Sequence, residues 1–495
     1  MRRLFLGVLM ALVGFLQGQT PSERPTVLVV AGLNPDHGLG VRVAERLPAA
    51  VEKLAATDAE LRAAMERVAL WVVPTLVADQ QASADAAPLR DLRVNQTPVD
   101  DDNDGLVDED GPEDLDGDGI IATMRWPDPE GRLMPSKEDP RLMVMADASK
   151  GERGMWSSTT EGIDNDGDGL INEDGPGGVD LDRNFAHGWK ERERAAGLSA
   201  PSEPATRKLL QQVLDHGRVA AVYVLGHRDN IATTWRTNDA AGGRAPNGVL
   251  RDDVSWSHAL SEEMKGILEA NDGADDWPDG GFHHWAYGQY GVPAFASRVA
   301  YRPELPADAK FAGGAAPSTS EGRWLWIADQ RKNGFIPWKR IDHPTLGSVE
   351  VGGFVPRFAQ TVAQERFEAI VAAQARAVAA LIKALPELQV ATIHSRSLGA
   401  GVFEVEVELT TRGQVPLFTA SARKTRVVRP VLLELSIKNG TLLQGSARQL
   451  VDDLGPNGRK KFSWLLRCSG TLEVSVSAGS PRTGSASASL RVEGN

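Results

Sequence analysis

The sequence predicts an α/β protein: a mixed, largely parallel sheet flanked by helices, interrupted by an acidic insert and followed by an all-β sandwich. Three observations carry this. Short continuous apolar runs alternate with longer stretches of helical spacing over the first 385 residues. Beyond Pro386 the spacing changes to strict two-residue alternation. Between the two halves of the α/β part lies a repeat built on alternating aspartates.

In chain order, Thr26 to Gly32 is an apolar run ending in Gly, as a buried parallel strand is. Ala49 to Val68 has helical spacing, and Ala69 to Pro74 is a second buried strand. Pro204 to Leu214 reads as a helix with Ser202 placed to cap it. Ala220 to Gly226 is a third strand, Val254 to Leu268 a helix, Val292 to Val299 a fourth strand, and Pro356 to Leu385 a long Ala-rich helix. This α/β part spans 25–385, with the acidic insert at 96–176. Val402 to Leu409, Val431 to Ile437, Leu472 to Val476 and Ala486 to Val492 alternate as half-buried strands, which places a sandwich at 390–495.

Composition narrows the function classes. The single cysteine, Cys468, excludes an intramolecular disulfide framework and a Cys-based zinc site. The formal charge of −13 is local: residues 100–118 hold eleven acids, residues 161–182 hold eight, and neither run contains Lys or Arg. Taking these 19 from the 67 acids leaves 48 against 54 bases, so the rest of the chain is mildly basic. No dense basic patch with interleaved aromatics is present, so nucleic acid is not an expected partner. Residues 1–19 read as a secretory signal, with Arg2 and Arg3 before an apolar run too short to span a bilayer. The expected mature protein is therefore exported (periplasmic, cell-surface or extracellular) and has no transmembrane segment after signal removal.

The acidic runs follow a spacing rule. Asp100, Asp102, Asp104 and Gly105 recur as Asp164, Asp166, Asp168 and Gly169, and a third set is Asp114, Asp116, Asp118 and Gly119. Carboxylates at loop positions 1, 3 and 5 with Gly at 6 let a chain curl round a hard cation. Calcium is the expected ion, with Asp108 and Glu173 as further candidate ligands and a structural role. A reliable Glu at position 12 is missing, so ligands shared between loops are expected.

At Gly178-Val179-Asp180-Leu181-Asp182-Arg183-Asn184-Phe185 the chain resembles the zinc metallocarboxypeptidases of the carboxypeptidase A type. Ser202-Glu203-Pro204, Leu225-Gly226-His227, and Gly280-Gly281-Phe282-His283-His284-Trp285-Ala286-Tyr287 followed by Gly291-Val292-Pro293 are similar to further segments of that family, in the same order. The resemblance implies an exopeptidase with a zinc held by three ligands, a Glu as general base and an Asn-Arg pair on the substrate carboxylate. By position it assigns Asn34, His37 and His227 to the zinc, and Asp182, Arg183 and Tyr287 to the substrate. Four functional positions depart from the family: Asn and His stand at the first two ligand positions, Asp182 replaces Asn, and Arg298 falls near the general-base position. Arg298 is expected to supply a cation beside the vacated metal position, near His227 or paired with Asp182. His283 and His284 read as a structural rim, and Trp189, Trp277 and Trp285 as core or cleft wall. Three functions follow: a zinc-carboxypeptidase-like hydrolase with weak or altered activity; a non-enzymatic relative binding a peptide or cell-wall component; and a calcium-stabilised surface scaffold.

Overall fold

The computed structural model describes residues 23–77, 88–100, 105–172, 174–175, 177–237, 248–271, 273, 276, 279–452 and 454–493. The predicted signal at 1–19, the candidate calcium ligands Asp102, Asp104 and Glu173, and Trp277 lie outside them.

The α/β part opens with β1 (Thr26–Ala31), α1 (Gly38–Thr57), α2 (Ala59–Arg67) and β2 (Ala69–Val73). The insert contributes β3 (Thr123–Pro127), β4 (Leu133–Pro135), β5 (Met143–Met145) and β6 (Trp156–Thr160). Then come α3 (Pro204–His216), β7 (Val219–Leu225), α4 (Val254–Leu268), α5 (Phe282–Gly288), β8 (Ala294–Ser297), α6 (Ser320–Arg331), β9 (Phe335–His343), β10 (Gly347–Phe354) and α7 (Gln364–Ala384). The central sheet has the order β2-β1-β7-β8 and every pairing in it is parallel. Its strands are apolar on both faces because both are covered. Val27, Val29 and Ala31 pack with α1, α2, α4 and α7. Leu28 and Val30 point the other way, onto Leu209 and Val213 of α3 and Phe282 and Trp285 of α5. Period-two alternation thus feeds two cores, and the strand reads as one unbroken apolar run.

Helix limits differ from the sequence expectation in ways that packing explains. The helix expected from Ala49 begins at Gly38 and runs through Pro48, which removes one intrahelical hydrogen bond. The buried stripe Leu39, Val43, Leu47 and Val51 continues across the proline and offsets that loss. The break comes at Asp58, whose carboxylate accepts from Leu61 N and starts α2. Ser202 does not cap α3: Glu203 is the N-cap residue, without a side-chain cap bond, and Pro204 fills the first turn. The Ser202 hydroxyl instead donates to Glu203 Oε1 and accepts from Asn184 Nδ2.

The insert is more than loops. Its strands join the β9–β10 hairpin in an antiparallel sheet of order β5-β4-β6-β3-β10-β9. The region beyond Pro386 contains β11 (Glu387–Gly399), β12 (Val402–Arg412), α8 (Ala420–Thr425), β13 (Val431–Lys438), β14 (Thr441–Gln444), β15 (Arg448–Val451), β16 (Arg459–Arg467), β17 (Thr471–Ser480) and β18 (Gly484–Glu493). Two antiparallel sheets, β11-β12-β16-β14 and β15-β13-β17-β18, enclose one core. Phe403, Val405, Val407 and Leu409 point into it, while Glu404 and Glu406 face outward to Arg396 and Lys461. The sandwich is fastened to the α/β part. Arg482 donates to Tyr290 O (2.8 Å) with its guanidinium over the Tyr290 ring, and Thr419 and Ser421 donate to Gly291 O and Gly288 O. No helix among the described residues is long and apolar enough to cross a membrane.

Candidate functional site

The carboxyl ends of β1, β7 and β8 open onto one cleft of about 400 Å³, the usual place for a ligand in an open parallel sheet. Asp36 and His37 reach it from the end of β1, His227 from the end of β7, and Arg298 and Arg302 from the turn after β8. Arg93, Trp324 of α6, and Arg357 with Phe358 close the other wall. His227 Nε2 lies 2.9 Å from Asp36 Oδ1, with the Asp36 carboxylate buried. This fixes the orientation of the ring at the cleft. His37 Nδ1 accepts from Gly40 N (3.2 Å) and caps α1, so the neutral ring carries its proton on Nε2. Burial, then the neighbouring His227 ring 4.7 Å away, hold the His37 pKa well below the ordinary imidazole value.

The turn after β8 is under constraint. Val299 has φ +70°, a left-handed conformation that a β-branched residue rarely adopts. Ser297 Oγ accepts its N–H, and Gln374 Nε2 of α7 donates to its carbonyl (2.8 Å). Asp229 accepts the Arg298 N–H and the Tyr301 hydroxyl. Strain held by this many bonds aims Arg298 and Arg302 at the cleft. Arg302 is only 4% exposed. Its Nη1 makes one long bond, 3.4 Å to Pro303 O, and its Nε has no hydrogen-bond partner. Among the described residues no carboxylate pairs with this guanidinium. A buried cation left without a counter-charge costs several kcal/mol, on the order of 3–5.

The zinc implied by the resemblance does not fit these residues. Asn34 is buried, and its amide nitrogen donates to Arg93 O (2.8 Å) and Asp180 Oδ1 (2.7 Å), so it pins the loop after β1. His37 Nδ1 is engaged as a helix cap and His227 Nε2 is held by Asp36. Three sets of acid or imidazole donors converge within 4.8 Å among the described residues: Asp276–His283–His284, Asp114–Asp116–Glu161 and Asp164–Asp166–Asp168. The predicted zinc residues are in none of them.

Arg298 lines the same cleft as His227, and the partners of Asp182 are other residues. Asp182 Oδ2 lies 3.3 Å from Arg228 Nε and its Oδ1 accepts from Phe282 N (2.9 Å). Burial pushes the Asp182 carboxyl up to about 6 against the pull of Arg228. Arg183 is held away from the cleft, 3.5 Å from Asp279 and 3.4 Å from Glu193, and donates to Arg194 O. Tyr287 is 3% exposed; its hydroxyl donates to Asp253 Oδ2 (2.8 Å) and accepts from Leu250 N (3.0 Å). Asp182 and Arg183 are thus held by ion pairs and Tyr287 by hydrogen bonds to other protein groups, and none of the three lines the cleft.

The acidic repeat is visible in the backbone. Asp108 and Asn172, equivalent in the two copies, both have left-handed φ, +57° and +62°. Equivalent Asp110 and Asp174 form an antiparallel bridge that joins the copies. Asp114 accepts from Gly117 and Gly119 N, Asp164 from Gly167 and Gly169 N, Asp166 from Asp168 N, Asp168 from Leu170 N, and Asp118 from Ile120 N. Asp100 accepts from Gly105 N, and Asp108 from Gly177 N, which ties the insert to the segment at Val179. Asp116 also meets Lys339 of β9 (3.2 Å). Sequence reasoning missed Glu161, which is buried beside Asp114 and Asp116 and accepts from Leu115, Asp116 and Ala122 N. It also missed Arg302, though its place four residues after Arg298 was a usable signal, and Asp276.

A family model described as "Domain of unknown function (DUF8731)" matches residues 387–491, the sandwich. No curated protein sequence matches the chain. Among solved structures, thrombin activatable fibrinolysis inhibitor aligns at TM-score 0.29 and 10% identity, over 55% of this chain and 53% of that one. The chain thus spans about half the length of that protein. The bovine form of the same inhibitor, in complex with tick carboxypeptidase inhibitor, aligns at TM-score 0.28 and 10% identity, over 73% and 82% of the two chains.

Proposed function

We propose that this chain is an exported, carboxypeptidase-like binding protein whose cleft takes the carboxylate end of a peptide or cell-wall-derived ligand without ordinary hydrolysis. The observation that carries this reading is Arg302: a buried guanidinium facing the cleft with no carboxylate partner among the described residues. A planar guanidinium pairs a carboxylate through two parallel hydrogen bonds, so a ligand carboxylate would supply the missing counter-charge. Arg298 and Arg93 add positive charge at the same cleft, and Trp324 and Phe358 offer apolar surface for the ligand's side chain. His227, oriented by Asp36, adds a polar ring to the same wall. Ordinary turnover is disfavoured because Arg298 stands near the general-base position, the Asn34 amide nitrogen donates to Arg93 O and Asp180, and one ring nitrogen of each of His37 and His227 is already engaged. In this reading the acidic loops hold calcium and stiffen the insert beside the cleft.

The test is an affinity selection with the full chain on a peptide library in matched free-acid and C-terminally amidated forms, with mass analysis of what is released. Retention of free-acid peptides with intact C-termini is expected. Equal retention of both forms would refute the carboxylate reading, and steady release of C-terminal residues would establish hydrolysis instead.

A further inference from the structure

A second site lies away from the cleft, at the start of α5. His283 and His284 are 0% and 1% exposed, and their rings face each other with centroids 4.0 Å apart. His283 Nε2 is 2.5 Å and His284 Nε2 is 3.3 Å from the same oxygen, Asp276 Oδ2. Both nitrogens of His284 and the Nδ1 of His283 lack a hydrogen-bond partner, although all are buried. One imidazole without a partner is costly to bury, and two adjacent ones facing a carboxylate have a common remedy.

We propose that Asp276, His283 and His284 bind a borderline divalent transition cation, of the zinc or cobalt kind. The donor set is two imidazoles and one carboxylate, which suits such metals and not calcium or magnesium. Two atoms bound at about 2.0–2.1 Å to a tetrahedral centre stand about 3.3 Å apart, the His284–Asp276 separation found here. The shorter His283 contact opens by less than 1 Å to match. The surroundings favour a cation: among the described residues the ion pairs here join four carboxylates, Asp182, Asp276, Asp279 and Glu193, to two guanidiniums, Arg183 and Arg228. Outer partners orient the ligands. Arg228 lies 3.3 Å from Asp276 Oδ1, Trp235 Nε1 donates to Asp276 Oδ2, and the Trp235 ring stacks on both imidazoles. The bound ion would fasten Asp276 to α5. None of this rests on the ligand assigned to the cleft.

The test uses the full chain, stripped with chelator and returned to saturating calcium so that the oxygen-rich loops are filled. Titration with Zn²⁺ is expected to show one tight equivalent and to raise the melting temperature, and Co²⁺ to give the visible spectrum of a low-symmetry four-coordinate site. X-ray absorption of the zinc-loaded wild type should count two imidazoles, which needs no variant. His284→Ala should weaken zinc by about a hundredfold or more, while His227→Ala leaves the stoichiometry unchanged. No tight equivalent in the wild type, an absorption spectrum without two imidazoles, or loss of zinc in His227→Ala with retention in His284→Ala would each overturn the site.

Discussion

Replacing Asp253 by Ala should loosen the joint between the α/β part and the sandwich. Its carboxylate collects three donors: Trp256 Nε1 (2.9 Å), the Tyr287 hydroxyl (2.8 Å) and the backbone N–H of Ala420 in α8 (2.8 Å). All three bonds are buried, so alanine leaves three donors without acceptors. Each stranded donor costs about 1–3 kcal/mol, or on the order of 3–9 together. Burial raises the Asp253 pKa, so removing its charge returns part of that cost. A net loss of about 3 kcal/mol is the working figure. Asp253→Asn keeps an acceptor and should cost less than half as much. Urea unfolding followed by tryptophan fluorescence and by far-ultraviolet dichroism reads the effect. Wild type should give closely spaced transitions, and Asp253→Ala should separate them as the sandwich becomes independent. A variant within about 0.5 kcal/mol of wild type, with unchanged transitions, would show that this carboxylate does not join the two parts.

Asp182 makes stability depend on pH. Its folded pKa of about 6 lies above the 3.8 of a free carboxyl, so folding favours the protonated form. That contribution is complete below about pH 4 and is lost as pH rises to 6, on the order of 3 kcal/mol in all. Asp182→Asn should flatten the stability profile across this window, and an unchanged slope would place its origin elsewhere. Tyr287→Phe should cost about 1–3 kcal/mol by stranding Leu250 N while leaving peptide affinity intact; an affinity change without destabilisation would restore Tyr287 as a ligand contact. Calcium should raise the melting temperature and Asp114→Ala should remove most of that rise, measured by calorimetry in calcium and in chelator. Equal melting in both media would make the acidic loops self-sufficient turns.

Elements with an unbroken or strictly alternating pattern were legible in the sequence. Val254–Leu268 is the helix expected from its spacing, and β12, β13, β17 and β18 fall where alternation placed them. The β9–β10 hairpin was not, because Phe335–His343 mixes charged and aromatic residues on a sheet exposed on one side. The start of α1 was hidden by Pro48, whose cost is offset only by packing that a local reading does not contain. At the site, His227 and Arg298, expected near one another, both line the cleft. The motif assigns Asp182 and Arg183 to the ligand because motif positions do not reveal partners: Arg228, Asp279 and Glu193 come from elsewhere in the chain and form ion pairs with them. Arg302 is informative only through burial and the lack of a partner, which are properties of the folded chain.

The most direct measurement compares Arg302→Gln with Arg183→Gln in calorimetric binding of one selected peptide, as free acid and as amide. A charge-assisted pair is worth about 1.5–3 kcal/mol, so Arg302→Gln should weaken the free acid by roughly 10–100-fold and abolish the preference over the amide. Arg183→Gln should leave both affinities unchanged. The opposite pattern, with the preference lost at Arg183 and kept at Arg302, would contradict the account and return the carboxylate clamp to the position that the motif assigned.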